Sequence, residues 1–200
     1  MSSIYERLVE RYETGQVPWD AELPPPEVMA TLAHLPPGRA LDLGCGYGRA
    51  SIYMARQGWQ VDGIDFVAQA IDEAERRAEA AGVITAVSFH VHAVTSLPFL
   101  TDSYDFALDV GCLHNFDLAQ MQAYAGELTR LLRPGGLYLL FAHLRNESDA
   151  EDDSWRWIAE DELLAAFAGG FVAERVEHGT TQVGDNPPWR SAWFWLRRKG

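Results

Sequence analysis

The chain has few basic residues for its length. Among 200 residues it has 16 lysines and arginines against 29 aspartates and glutamates, so its net charge is −13. Binding to a nucleic acid or to an anionic membrane surface needs clustered cations, so we expect neither partner. A small or neutral ligand fits this charge better, and a cationic ligand would be attracted by the field. An equally simple explanation of the acidity is solubility.

Cysteines and long apolar runs are also scarce. The two cysteines, Cys45 and Cys112, lack the C-x-x-C spacing of metal and redox sites, so we expect free thiols and no metal centre. Free thiols are typical of a reducing cytoplasm. No apolar run reaches the ~18–20 residues that would span a membrane, and the charged N-terminus does not resemble a signal peptide. We therefore expect a cytoplasmic protein that folds as one domain over residues 1–200.

Strand and helix patterns alternate along the chain. The strand patterns cover residues 39–43, 59–64, 87–91, 104–110, 137–142, 171–177 and 192–197. Helical apolar spacing follows the first, second and fourth of these strands, and the alternation predicts an α/β fold with a doubly wound, mostly parallel, Rossmann-like sheet. The last two strands are joined by a linker too short for a crossover helix, so this pair should be antiparallel. Residues 1–38 form a helical segment before a core of residues 39–200.

A glycine-rich turn follows the first predicted strand. Gly44, Gly46 and Gly48 have the spacing G-x-G-x-G, whereas dinucleotide-binding folds have G-x-G-x-x-G. Asp42 lies beside this turn and disfavours a pyrophosphate, but it suits a ligand with an ammonium or sulfonium group. Asp65 ends the next strand, where a carboxylate can accept both ribose hydroxyls. The pattern predicts a site for a positively charged, adenosine-containing ligand. A plain strand–helix turn and a nicotinamide-dependent reductase are the alternatives.

These motifs resemble a known family. LDLGCGYG (41–48) and GWQVDGID (58–65) are similar to motifs I and II of the class I S-adenosylmethionine-dependent methyltransferases. LPF (97–99), YDF (104–106) and LLRPGGLYLL (131–140) extend the resemblance. Residues 15–28 and 191–199 resemble the small-molecule branch near the thiopurine and tellurite-resistance methyltransferases. The resemblance implies the strand order 3-2-1-4-5-7-6, the cofactor S-adenosyl-L-methionine and the product S-adenosyl-L-homocysteine.

The resemblance also implies the cofactor contacts. Gly44, Gly46 and Gly48 would let the methionine part of the cofactor lie on backbone, Asp42 would bind its ammonium group, and Asp65 would bind its ribose. Arg49 would pair with the carboxylate, or it is simply a solvated arginine in the first turn of a helix. The remaining residues expected at the cofactor are Tyr12, Trp19, Cys45, Phe66, Ala93, Val94, Asp109 and Val110.

Two of these expectations carry a specific reason. The N-terminal segment would fold over the cofactor as a lid, and the aromatic face of Trp19 attracts a sulfonium. Alternatively, Trp19 anchors the segment on the domain. Many relatives have an acidic residue that accepts the adenine amino group, but Ala93 and Val94 stand at that position. We therefore expect backbone groups and packing, with Phe66 on one face, to hold the adenine, and His92 is a possible substitute.

The resemblance places the methyl acceptor beside the loop after the fourth strand. Cys112, His114 and His143 would line its pocket, and Trp155 and Trp157 would border it. His114 is a candidate general base because its ordinary pKa is near neutrality, or it is only part of the pocket wall. The expected reaction is a single SN2 transfer of a methyl group to a small molecule. The sequence identifies neither the acceptor atom nor the oligomeric state. A non-catalytic cofactor-binding module, an NAD(P)-dependent oxidoreductase and an aminopropyl-transfer relative are alternatives.

Overall fold

The computed structural model describes residues 4–101, 103–145, 157–182 and 188–200. Contacts between Cα atoms group the chain into two compact units, Met1–Val94 and Thr95–Gly200. The prediction of a single domain over residues 1–200 stays a prediction.

The first unit alternates helices and parallel strands. Its elements are α1 (Ile4–Thr14), α2 (Pro26–Leu32), β1 (Arg39–Leu43), α3 (Arg49–Arg56), β2 (Gln60–Asp65), α4 (Ala68–Ala80), a 3₁₀ turn (Ile84–Ala86) and β3 (Val87–Val91). Strand β2 pairs in parallel with both β1 and β3. Three small residues on one face of α4, Ala70, Ala74 and Ala78, are buried, so this helix packs closely on the sheet. Both β1 and β2 end at the glycine turn.

The second unit ends in an antiparallel hairpin. Its elements are β4 (Tyr104–Val110), a 3₁₀ turn (Leu113–Asn115), α5 (Leu118–Leu131), β5 (Leu132–His143), α6 (Glu160–Phe167), β6 (Phe171–Thr181) and β7 (Trp189–Arg198). Strands β4 and β5 are parallel, whereas β7 is antiparallel to both β5 and β6. The seven strands form one sheet in the order β3-β2-β1-β4-β5-β7-β6, so the predicted fold and strand order are confirmed.

Two strands are longer than the apolar pattern predicted. Strands β6 and β7 continue to the pair Thr181 and Trp189, beyond the predicted ends at Glu177 and Ala192. Backbone pairing continues through exposed residues, where no apolar alternation is needed. Strand β5 begins at Leu132, because the Pro-Gly-Gly segment is a register shift within the strand and not a turn before it. Among the described helices, none has both the length and the apolar character needed to cross a bilayer.

Candidate active site

The glycine turn after β1 needs glycine for two reasons. Gly44, Gly46 and Gly48 have φ angles of 72°, 53° and 74°, in the left-handed region that favours glycine. A Cβ on Gly48 would lie 2.8 Å from the ring of Phe89. The backbone N–H of Gly44 donates to the carbonyl oxygen of Ile64 at 2.8 Å, which fastens the turn to β2. The turn is therefore a preformed bare-backbone surface at the ends of two parallel strands.

Asp65 closes the glycine turn. Its Oδ2 accepts a hydrogen bond from the N–H of Gly46 at 3.0 Å, and its Oδ1 accepts one from the N–H of Val67 at 3.0 Å. Burial raises the pKa of this carboxyl, and the backbone donors oppose the shift. Because each carboxylate oxygen has two lone pairs, the side chain keeps acceptor capacity for further donors. Asp65 thus joins the turn to the start of α4 and can still bind a ligand.

Asp42 and Arg49 are partly desolvated charges beside the turn. Asp42 is 4% exposed, and its Oδ2 accepts a hydrogen bond from the hydroxyl of Ser51 at 2.6 Å. Burial raises the pKa of Asp42 to about 6, although the Ser51 bond and the nearby Arg49 charge lower it. Burial also lowers the pKa of the Arg49 guanidinium, which has no hydrogen-bond partner within the part of the chain that the structure describes. A half-buried guanidinium without an acceptor suits an anionic group of a ligand.

The N-terminal segment covers the glycine turn. A Cβ on Gly46 would lie 3.1 Å from the hydroxyl oxygen of Tyr12 and 4.0 Å from Nε1 of Trp19. The Tyr12 ring contacts Trp19 and Tyr47 edge-on, with centroid distances of 6.0 and 5.2 Å. Tyr12 is buried, which raises the pKa of its hydroxyl, whereas Trp19 is 41% exposed. The structure therefore brings both residues of the predicted lid to the turn.

An ion pair holds this segment on α4. Both guanidinium NH groups of Arg77 donate to the two carboxylate oxygens of Asp20, each at 2.8 Å, and its Nε donates to Glu73 at 2.7 Å. The same guanidinium lies 4.5 Å from the centroid of the Tyr47 ring, within cation–π distance. Because Tyr47 belongs to the glycine turn, Arg77 links the segment, the helix and the turn.

The residues expected to hold adenine differ in how deeply they are buried, and Cys45 lies in the glycine turn itself. Phe66 is partly buried and contacts the ring of Tyr5, with centroids 5.5 Å apart. Val94 is buried, whereas Ala93 is exposed and its carbonyl oxygen lies 3.3 Å from Nδ1 of His92. The Cys45 thiol is half-buried within the turn.

In the second unit, Asp109 organises the loop after β4. Its carboxylate is fully buried, and it accepts hydrogen bonds from the N–H of Cys112 at 2.7 Å, the N–H of Leu113 at 3.0 Å and the hydroxyl of Tyr124 at 2.9 Å. Burial raises the pKa of Asp109 to about 7, and these donors oppose the shift. Its oxygens are thus engaged by the chain itself, which favours a positioning role over direct cofactor contact. Val110, at the strand end, is half-buried.

His114 and His143 lie together among aromatic rings. The two imidazole rings stack, with centroids 4.6 Å apart and planes 18° apart. Trp157 contacts both, at 5.7 Å from His114 and 4.6 Å from His143, and Trp189 lies 5.5 Å from His143. A Cβ on Gly111 would lie 3.0 Å from the His114 ring, so the glycine allows this position. The expected acceptor residues His114 and His143 are therefore neighbours.

The surroundings of this pair make protonation unfavourable. Burial lowers the pKa of His114 to about 3, with a further contribution from the adjacent His143, and burial lowers that of His143 to about 4. Both imidazoles are therefore neutral near pH 7. A conjugate acid with so low a pKa makes His114 a weak base, which disfavours the predicted general-base role. The half-buried thiol of Cys112 precedes the 3₁₀ turn that carries His114.

Comparison with known proteins relates part of the chain to a protein family. Residues 40–136 match a family model described as a methyltransferase domain. An uncharacterized methyltransferase of Synechocystis sp. is 30% identical over 112 residues, which cover 56% of this chain and 50% of that protein. The matched residues, just under half of this chain, are thus similar to a methyltransferase domain. The chain spans about half the length of this relative.

Solved structures agree with the methyltransferase domain at the level of the fold. The 1,6-didemethyltoxoflavin-N1-methyltransferase of Burkholderia thailandensis has a TM-score of 0.76 and 24% identity, covering 100% of this chain and 92% of that one. TehB from Haemophilus influenzae has a TM-score of 0.76 and 18% identity, covering 96% and 67%. The family match supports S-adenosylmethionine as the cofactor and favours a methyltransferase over the reductase alternative.

Sequence patterns did not single out all of the residues at these sites. Trp189 was not expected at the site, because a half-buried residue at the start of a strand has no distinctive spacing. The ion pair between Asp20 and Arg77 joins residues far apart in the sequence, so no local pattern indicated it. Trp157 lies in the aromatic group as its proximity to the fifth strand suggested. Trp155 lies outside the described residues.

Proposed function

We propose that this protein transfers a methyl group from S-adenosylmethionine to a small-molecule acceptor. The observation that carries the proposal is the glycine turn of the first unit. Its three left-handed glycines are closed by Asp65 and flanked by the buried Asp42 and by the guanidinium of Arg49, which has no hydrogen bond to a described residue. These groups match a ligand that has two hydroxyls, an ammonium group and a carboxylate. The family match to a methyltransferase domain supports the same ligand.

Each charged group has one expected partner on the cofactor. The free lone pairs of Asp65 would accept the ribose hydroxyls, Asp42 would bind the ammonium group, and Arg49 would bind the carboxylate. Phe66 and Val94 would pack against adenine, since the exposed Ala93 offers only backbone groups. The positive ammonium group beside Asp42 would lower the pKa of its carboxyl and so favour the charged carboxylate.

The N-terminal segment would keep water from the methionine end of the cofactor. Tyr12 and Trp19 already lie over Gly46, and the face of an aromatic ring attracts a positive sulfur. When bound, the cofactor supplies a methyl group that its sulfonium activates. The chain then has to hold the acceptor in line and exclude water, and such positioning accounts for a large share of rate acceleration.

The neutral histidines restrict the acceptor. Because His114 is a weak base at pH 7, the preferred acceptor attacks with an electron pair that is already free, as a thiolate, a soft anion or an aromatic nitrogen does. The net charge of −13 is unfavourable for a nucleic acid acceptor. Among proteins with the same fold, one is a didemethyltoxoflavin N-methyltransferase, and that similarity supports a small acceptor.

Transfer of a radiolabelled methyl group tests the proposal. The protein is incubated with methyl-labelled S-adenosylmethionine and a panel of thiols, phenols, aromatic nitrogen bases and halides at pH 7.5. We expect labelled product with at least one neutral or soft nucleophile, formed together with an equal amount of S-adenosylhomocysteine. Binding of the cofactor without transfer to any member would instead favour the non-catalytic module.

A further inference from the structure

Five aromatic side chains of the second unit form one partly exposed group, called here the aromatic cluster. Its members are His114, Phe141, His143, Trp157 and Trp189. They come from the 3₁₀ turn after β4, the end of β5, the residue that opens the described chain before α6, and the start of β7. Each ring is neither fully buried nor fully exposed, so the cluster presents aromatic surface to solvent.

The packing of the cluster is continuous. His143 contacts the other four rings, with centroid distances between 4.6 and 5.5 Å. Trp157 also contacts Trp189, with centroids 5.3 Å apart. Aromatic rings at these distances prefer offset-stacked or edge-on packing. A further planar ring could pack on the same surface in the same way.

Two buried nitrogen atoms in the cluster have no hydrogen-bond partner among the described residues. Nδ1 of His114 and Nδ1 of His143 are both buried, and neither has a hydrogen bond within the described part of the chain. An unpaired buried polar atom is unfavourable and calls for an explanation. If these residues only filled space, a phenyl ring would pack as well without this cost. The imidazoles must therefore offer something that a phenyl ring lacks.

The second nitrogen of each imidazole, Nε2, is a polar group that a phenyl ring lacks. Nε2 of His114 and Nε2 of His143 are not among the buried unpaired atoms, and neither has a hydrogen bond to a described residue. A neutral imidazole has one N–H and one bare nitrogen. Placing the proton on Nε2 avoids a buried N–H without an acceptor, and we assign this tautomer on that ground. Both rings then carry an N–H donor on Nε2, the nitrogen that is not among the buried unpaired atoms.

The cluster has the features of a site for an uncharged planar ligand. The lowered pKa values keep both imidazoles neutral, so they attract no anion by charge. The two indoles add flat apolar area, and the two N–H groups add donors at fixed positions. The complementary ligand is an aromatic ring that carries a hydrogen-bond acceptor, such as a ring nitrogen with its lone pair in the plane.

We propose that the aromatic cluster is the methyl-acceptor site and that it holds a planar heteroaromatic molecule through stacking on Trp157 and Trp189 and through hydrogen bonds donated by Nε2 of His114 and His143. This inference rests on the proposed methyl-transfer function. It adds the chemical class of the acceptor, and it assigns the histidines to binding and orientation instead of proton removal.

Three probes of similar size separate stacking from hydrogen bonding. Benzimidazole is planar and has a ring nitrogen that accepts a hydrogen bond, indole is planar but lacks that acceptor, and cyclohexanone has an acceptor without an aromatic ring. Their dissociation constants are measured by ligand-observed NMR titration at pH 7.5, with and without saturating S-adenosylhomocysteine. We expect benzimidazole to bind at least fivefold more tightly than either of the other two.

Variants then locate the binding. His143→Phe keeps the ring but removes one of the two donors, so the preference for benzimidazole over indole should fall. His143→Gln places an amide near the position of Nε2 and should restore part of the preference. Trp189→Leu should weaken both aromatic probes at least threefold and leave cyclohexanone unchanged. His34→Phe, at an exposed histidine of the first unit, is the matched control and should behave as wild type. Thermal melting establishes that each variant is folded.

The outcomes distinguish this inference from the proposed function. If S-adenosylhomocysteine binds but benzimidazole shows no saturable binding, or binds no more tightly than cyclohexanone, the acceptor class is wrong while the cofactor site stands. Equal binding of benzimidazole and indole, or an unchanged preference in folded His143→Phe, overturns the role of the histidines. Failure to bind S-adenosylhomocysteine at all, measured in the same samples, counts against the proposed function instead.

Discussion

Arg77 binds Asp20 through both carboxylate oxygens, with N–O distances of 2.8 Å, while its guanidinium plane lies over the ring of Tyr47. Both partners of the ion pair are partly exposed, so its contribution to stability is modest. Its position matters more. Asp20 directly follows Trp19, which lies over the glycine turn, and Tyr47 is part of that turn. The side chain of Arg77 thus holds the N-terminal segment beside the glycine turn.

Removing the charge of Asp20 should loosen the N-terminal segment. We expect Asp20→Asn to raise the dissociation constant of S-adenosylhomocysteine about two- to threefold, in line with the loss of a partly exposed ion pair. Trypsin should also cleave after Arg11 faster than in wild type. Calorimetric titration and a timed digest measure the two effects. Asp72→Asn, at an exposed aspartate of α4, is the matched control. If the two variants behave alike, the ion pair does not hold the segment.

Cofactor affinity should depend on pH through Asp42. Its carboxyl has a pKa of about 6 in the free protein and must be charged to bind an ammonium group. The charged fraction rises through pH 6, so the dissociation constant of S-adenosylhomocysteine should fall about tenfold between pH 5 and pH 7. Arg49 and Asp65 also face this region, and the raised pKa of Asp65 acts in the same direction. Calorimetry at a series of pH values measures the slope.

The variant Asp42→Asn separates this group from the others. Its cofactor affinity should be weaker at pH 7 and should change less with pH than that of wild type. Folding stability gives an independent check. A carboxyl whose pKa is raised on folding stabilises the protein below its unfolded pKa, near 4, and this contribution is lost as the pH rises through about 6. The wild type should therefore lose melting temperature over this range relative to Asp42→Asn. Parallel melting curves would contradict the assignment.

The stacked histidines should stay neutral over the physiological range. With pKa values lowered to about 3 and about 4, the ring carbons of His114 and His143 should show no titration between pH 5 and pH 8. Carbon-13 NMR of the labelled protein measures this, with N-acetylhistidine in the same tube as a reference that titrates near pH 6.5. His114→Phe and His143→Phe assign the two signals. A midpoint above pH 6 for His114 would restore the general-base role.

Sequence patterns predicted the parts of the protein that depend on local chemistry. The positive φ angles of Gly44, Gly46 and Gly48 followed from the glycine spacing, and the sheet order followed from the resemblance. Asp65 was expected at a strand end, and its carboxylate does lie at the turn. The glycine spacing and the strand-end position of Asp65 are local patterns, and the strand order came from the family resemblance, which is why these features could be predicted before the fold was known.

Features that depend on distant contacts were not visible in the same way. Nothing in the spacing of Asp109 indicated that three donors of its own unit would occupy its carboxylate. His114 was an attractive base because histidine titrates near neutrality, but its stacking on His143 and its burial are tertiary effects that lower the pKa. Trp189 joins the cluster only because the antiparallel hairpin extends further than its apolar pattern.

The central claim is that the glycine turn binds S-adenosylmethionine through a carboxylate at the end of β2. Calorimetric titration of the protein and of Asp65→Asn with S-adenosylhomocysteine tests it most directly, with Asp62→Asn as a control at a buried aspartate of the same strand. Loss of a charge-assisted hydrogen bond costs about 1–3 kcal/mol, so affinity should fall about fivefold or more in Asp65→Asn and stay near wild type in Asp62→Asn. A wild-type protein that binds a nicotinamide dinucleotide but neither S-adenosylmethionine nor S-adenosylhomocysteine would contradict the account.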